Sequence, residues 1–256
     1  MIDTDKLLAS GAKPGKEGVA LNWAVEHHQH DVVSALLEVL EEGRHSTLNG
    51  ALHVAAEFGN ENAVEMLLAA GADVHHELGP RRSTAIHVAA QYGNCKIIQM
   101  LIDVGANILT CTADWKTAAH IAQEYSKFPA LKHLLAFLQP HETNELGETA
   151  LHLASEFGDT ETTKRLLENH AELNAVDCEQ ATPLRYAVEF GSSEVVELLL
   201  RAGAKLLADG RGCTPLHVAA SLRSRRKVKA LLDTGACLAN LPNLVGDTPL
   251  HEAVKG

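Results

Sequence analysis

The chain is expected to be an all-α repeat solenoid, a stack of helix-turn-helix units joined by β-turn loops. Three observations lead there. A four-residue motif recurs in register as Thr84-Ala-Ile-His87, Thr117-Ala-Ala-His120, Thr149-Ala-Leu-His152, Thr182-Pro-Leu-Arg185, Thr214-Pro-Leu-His217 and Thr248-Pro-Leu-His251, with threonines 33, 32, 33, 32 and 34 residues apart. Behind the motifs, apolar residues fall at i, i+3 and i+4, the spacing of one helix face. Aromatics make up only 4% of the chain, which favours closely packed helices over strands.

Two earlier starts extend the series: Gly50-Ala-Leu-His53 lies 34 residues before Thr84, and Val19-Ala-Leu-Asn22 lies 31 before that. Within a unit, threonine at the helix entry offers a hydroxyl to an orphan backbone N–H. Pro183, Pro215 and Pro249 suit the first helical turn, where a fixed φ helps and no N–H is needed. Small pairs such as Ala55-Ala56, Ala89-Ala90 and Ala219-Ala220 let neighbouring helices approach. Gly59, Gly93, Gly158 and Gly191, nine residues after their starts, are expected to close the first helix in a left-handed conformation. The second helix buries sets such as Val64, Leu67, Leu68; Ile98, Leu101, Ile102; Leu131, Leu134, Leu135; and Val228, Leu231, Leu232. Gly71, Gly105, Gly203 and Gly235 then open the exit loop, with His170 replacing that glycine once.

The period and the T-P-L-H-x-A pattern resemble the ankyrin repeat, a β-turn followed by two antiparallel helices, over essentially the whole chain. The resemblance implies a preceding-repeat tail at 1–15, a degenerate repeat at 16–46, repeats at 47–79 and 81–113, and a second degenerate repeat at 114–145. Repeats at 146–178, 179–210 and 211–243 and a truncated one at 245–256 complete the expected series. The incomplete units at both ends suggest a piece of a longer array.

The unit at 114–145 departs furthest: Trp115 stands at a turn glycine, Ser126 at the helix-closing glycine, and no glycine exit precedes Pro140. It is expected to be the weakest unit, dividing the array into blocks that open separately. The first unit carries His28 at the glycine position, Trp23 at an inward position, and a polar link from Glu41 to Thr47.

A net charge of −11 argues against broad phosphate neutralisation, so nucleic acid is an unexpected partner. Five scattered cysteines fit a reducing compartment, cytoplasm or nucleus. No apolar run of membrane-spanning length and no signal segment appears. His53, His87, His120, His152, His217 and His251 belong to the motif, where the resemblance implies hydrogen bonds between neighbouring turns. Single ligands on successive repeats cannot share one metal ion. No nucleophile motif or phosphate loop appears, and no catalytic residue, metal or cofactor is assigned; the chain is expected not to be an enzyme.

The functional expectation is a protein-binding scaffold or adaptor, working as a single chain. A ladder precedes the helix-closing position: Glu57-Phe58, Gln91-Tyr92, Glu124-Tyr125, Glu156-Phe157 and Glu189-Phe190, extended by Glu26-His27. The resemblance implies that these positions line a concave groove and, with the loop tips, meet the partner. Rings beside carboxylates suit a basic or amphipathic segment, although the same rings can simply pack over the turn. Loop-tip candidates are His76, Arg81, Arg82 and Trp115. The segment Arg223-Ser224-Arg225-Arg226-Lys227-Val228-Lys229 is read as a solvated helix face or a signal, with Val228 inward. The alternative is a targeting segment of a larger signalling or catalytic protein.

Overall fold

The computed structural model describes residues 17–40, 45–235 and 239–255. The readings of residues 1–15, of Glu41 to Arg44 in the polar link, and of Ala236 to Leu238 in the last exit loop lie outside them. All named elements among the described residues are helices: α1 (Glu17–Glu26), α2 (His30–Val39), α3 (His45–Phe58), α4 (Glu61–Ala69), α5 (Ala85–Tyr92), α6 (Cys95–Asp103), α7 (Ala118–Glu124) and α8 (Phe128–Phe137). They continue with α9 (Ala150–Glu156), α10 (Thr160–Glu168), α11 (Pro183–Glu189), α12 (Ser193–Arg201), α13 (Pro215–Ser221), α14 (Arg225–Leu232) and α15 (Pro249–Lys255). The chain divides into two compact units, Met1–Leu134 and Leu135–Gly256, a boundary inside the segment the sequence marks as degenerate.

In the first unit the odd-numbered helices α1, α3, α5 and α7 pack side by side, with α2, α4 and α6 forming a second row; in the second unit α9, α11, α13 and α15 do the same, backed by α10, α12 and α14. The alanines make this possible: Ala55, Ala56, Ala89, Ala90, Ala154, Ala187 and Ala219 are sealed from solvent. The threonine hydroxyls of Thr149 and Thr182 accept the N–H groups of His152 and Arg185, and Pro183 and Pro215 occupy the first helical turn. Helices α4, α10 and α12 are capped by short polar side chains, Asn60, Asp159 and Ser192; Asp159 accepts from the N–H groups of Glu161 and Thr162, both at 3.0 Å.

Four expectations are corrected. Helix α3 begins at His45, inside the stretch read as polar link, because Gly50 offers no hydroxyl to start a helix at the usual point. Trp23 does not fill the core; it is 39% exposed and stacks on His27 with ring centroids 4.5 Å apart. In α14 the inward place belongs to Lys227, while Val228 is half-buried and Leu232 exposed. Gly191 is not left-handed, unlike Gly59, Gly93 and Gly158. A Cβ there would lie 2.1 Å from the Ser155 carbonyl oxygen, so glycine is required by close approach of the neighbouring helix.

The same register positions are left-handed where glycine is missing: His28, Ser126 and Arg223 close first helices with φ of 53°, 56° and 53°, and His170 ends α10 with φ 62°. The fold demands the conformation at these points and tolerates the cost of a side chain, about 1 to 2 kcal/mol each.

Candidate protein-interaction surface

The motif histidines set the edge on which the candidate side chains sit. His87 Nδ1 accepts the Thr84 N–H at 3.1 Å, so its proton sits on Nε2, which donates to the Thr110 carbonyl at 2.9 Å. His152 repeats the arrangement with Thr149 and the Ala181 carbonyl, and His217 with Thr214 and the Asp247 carbonyl. Each ring thus ties its own helix start to the next loop. Burial pushes His87 down to about 4 and lowers His152, because the imidazolium loses its water and the Nδ1 acceptor at once. His53 differs: without a threonine cap its Nδ1 faces the Asn49 carbonyl at 2.8 Å and its Nε2 the Ser83 carbonyl at 2.9 Å. Arg185 replaces the motif histidine once and is buried against Asp209, with its Nη1 on Glu189.

Eight residues after each start, a side chain leaves the same end of each first helix. In the first unit Phe58, Tyr92 and Tyr125 are 43%, 43% and 41% exposed, on three helices packed side by side. Their neighbouring polar residues are held. The Tyr92 hydroxyl donates to Glu57 Oε1 at 2.7 Å across the repeat boundary, and Lys116 Nζ pairs with Glu124 at 2.7 Å. Gln91 is half-buried beside Tyr92. In the second unit Phe157 is half-buried, with Glu156 beside it, whereas Phe190 is 59% exposed and lies edge-on to Tyr186 at 6.2 Å. Glu189 is engaged by Arg185.

The sequence reasoning missed two residues here. Leu222 occupies the ladder register and is exposed, and counting eight from Thr214 would have found it. Tyr186 reaches two buried carboxylates, Glu148 at 2.6 Å and Asp177 at 2.8 Å, and this together with burial raises the phenol above its ordinary range. Only the tertiary fold brings those carboxylates together.

Loop tips lie beside the ladder. Trp115 stands left-handed at φ 60° and is half exposed; the preceding Ala113 N–H donates to the Arg81 carbonyl at 2.8 Å, joining adjacent tips. Arg82 makes a two-pronged contact with Glu77 at 2.6 and 2.9 Å, which pulls the Glu77 carboxyl below its usual range. His76 lies edge-on to His53 at 6.4 Å.

The pattern "Ankyrin repeats (3 copies)" matches residues 3–77, 52–138 and 119–210, and "Ankyrin repeat" matches 211–244. The chain belongs to the ankyrin repeat family. It is an all-α repeat solenoid of that family, and ankyrin repeats are generally protein–protein interaction modules without enzymatic activity. The chain is 41% identical over 98 residues to the ankyrin repeat protein nuc-2 of Neurospora crassa, covering 38% of this chain and 9% of that protein. It is 34% identical over 125 residues to human transient receptor potential cation channel subfamily A member 1, covering 47% and 11%. It is 38% identical over 116 residues to neurogenic locus notch homolog protein 1 of Xenopus tropicalis, covering 44% and 4%. The chain therefore aligns with ankyrin regions of much longer proteins, spanning about a tenth or less of each.

The basic cluster at the start of α14 is divided by the fold. Lys227 turns inward and donates to the Val188 and Gly191 carbonyls at 2.7 and 2.8 Å, closing α11 where Gly191 does not; desolvation lowers the lysine below its ordinary value. Arg226 pairs with Glu194 at 2.8 Å and Glu197 at 3.3 Å. Arg223, Arg225 and Lys229 stay exposed. No helix among the described residues is long and apolar enough to cross a membrane, and no group of three or more described histidine, cysteine, aspartate or glutamate side chains is arranged to hold a metal ion.

Proposed function

We propose that this ankyrin chain is a binding scaffold that holds partner proteins on the exposed ladder residues and adjoining loop tips. One observation carries the reading: Phe58, Tyr92 and Tyr125 leave the same end of three packed helices and stay exposed, although the alanines of those helices, Ala55, Ala56, Ala89, Ala90 and Ala122, are sealed. Aromatic rings with anchored carboxylates beside them supply contact area at low entropic cost, the usual make-up of interface hot spots. Phe157 and Phe190 are the corresponding candidates in the second unit, and His76, Arg81, Arg82 and Trp115 those of the loop tips. The adaptor works as a single chain, and its free thiols at Cys95, Cys178 and Cys213 suit a reducing compartment, cytoplasm or nucleus.

A capture from cell lysate compares the chain with a variant carrying alanine at Phe58, Tyr92, Phe157 and Phe190, both checked for folding by circular dichroism. Partners lost from the folded variant support the ladder; identical captures overturn it. The small share of each relative that aligns favours a second reading, in which the array targets a larger signalling or catalytic protein. Expression of the full-length gene product with and without these residues tests it: unchanged localisation and partners would sink the targeting role.

A further inference from the structure

The ladder of the first unit carries information about the form of its ligand, and we infer that it takes an extended, polyproline-like segment whose every third residue lands on a rung, with cationic residues at the α1–α3 end. This rests on the binding reading above and goes beyond it. Side-by-side helices sit about 8 to 10 Å apart, so successive rungs at Phe58, Tyr92 and Tyr125 repeat at about that distance. A polyproline helix advances ~9 Å per turn of three residues and shows the same face at each turn. A β-strand returns to the same face every second residue, at ~7 Å, and falls out of step. An α-helix meets the spacing only at every seventh residue, about 10 Å, and presents the intervening i+3 and i+4 side chains where no rung receives them.

Charge decides which end is which. Residues 17–79 contain eleven acidic residues against one basic, while residues 80–134 contain three acidic against six basic. The side chains follow suit. Glu57 accepts a hydrogen bond from an uncharged donor, the Tyr92 hydroxyl at 2.7 Å, beside its chain neighbour Phe58. Glu124, two helices on, is neutralised by Lys116 at 2.7 Å. A guanidinium or ammonium group between Phe58 and Tyr92 gains both ring faces and an anchored carboxylate. At Tyr125 the same group meets a cancelled charge, and an apolar side chain is the better fit.

The test uses the whole chain and synthetic twelve-residue peptides, measured by fluorescence anisotropy. One peptide carries arginine at its first and fourth positions and leucine at its seventh and tenth, with proline and alanine between. Controls of equal composition place the same four residues at every second position, and a longer one at every seventh. The expected result is binding at least tenfold tighter for the three-residue period. Phe58→Ala with Tyr92→Ala should abolish that preference, and Glu57→Gln should reduce affinity severalfold and flatten its salt dependence. Lys116→Gln is expected to leave the arginine contribution unchanged. Equal binding of all spacings, or of the double variant, overturns the inference. If no peptide binds yet lysate partners still depend on Phe58 and Tyr92, the binding reading stands and this inference falls alone; if partners ignore those residues, both fall.

Discussion

Helices α5 and α6 and helices α7 and α8 are consecutive copies of one pattern, yet they end by different chemistry. Helix α5 closes on Gly93, left-handed at φ 81°, whose N–H bonds the Ala89 carbonyl at 2.9 Å, and Gly105 opens the exit from α6 at φ 93°. Helix α7 closes on Ser126 at φ 56°, and α8 has no glycine exit. There Arg165 reaches back to the Leu135 and Leu138 carbonyls at 3.1 and 3.0 Å. What a repeat needs is a left-handed residue and satisfied carbonyls. Glycine is the cheapest way to provide the left-handed residue, and a cation from the second helix of the next repeat can satisfy the carbonyls, as Lys227 in α14 also shows for α11.

The comparison is sharpened most by glycine substitution. Gly191→Ala should cost more than ~3 kcal/mol in urea unfolding, because its Cβ would overlap the Ser155 carbonyl and the Ala187 backbone. Gly93→Ala should cost about 1 to 2 kcal/mol for its left-handed backbone alone, since the nearest obstacle is the flexible Lys127 side chain. Equal losses would mean that the two glycines play one role after all.

Acid should act through the buried His87 and His152. His87 falls to about 4 in the folded chain against 6.5 unfolded, so the unfolded state binds more protons between these values. Its contribution is complete above pH 6.5 and drains away as pH falls toward 4, about 3 kcal/mol in all. His152 acts in the same direction. Thermal melts at pH 7.5 and 5 should show the chain losing stability, and less steeply in a His87→Gln variant; an unchanged slope would remove the buried ring from the account.

Arg165→Met should cost about 2 kcal/mol by leaving two carbonyls without their charged donor. Hydrogen exchange should place the loss at residues 135–138; a loss spread evenly along the chain would contradict local capping. The smallest effect is a gain: Ser126→Gly should stabilise by about 1 kcal/mol, which chemical denaturation can resolve. In the parent chain, exchange through residues 114–145 is expected to be faster than through 81–113, and uniform protection would end the idea that this segment opens first.

Much of the architecture was legible because it is local and repeated. Thr84 and His87 lie one helical turn apart, the alanine pairs follow at once, and a 33-residue period multiplies a weak signal until it is unmistakable. The ladder at Phe58, Tyr92, Tyr125, Phe157 and Phe190 was also readable as a register position. Its energetics were not, since that Tyr92 holds Glu57 and Lys116 neutralises Glu124 depends on side chains that meet across repeat boundaries.

Sequence by itself therefore determined the helix order, the family and the positions at which side chains emerge, because each depends on residues within one unit and on recurrence. Tertiary structure alone decided that Trp23 is exposed, that Lys227 turns inward, that Gly191 serves close approach, and that Tyr186 meets two buried carboxylates. The last three depend largely on what the neighbouring repeat places 36 to 39 residues away, where a backbone carbonyl or carboxylate short of a partner takes whichever donor the packing brings within reach.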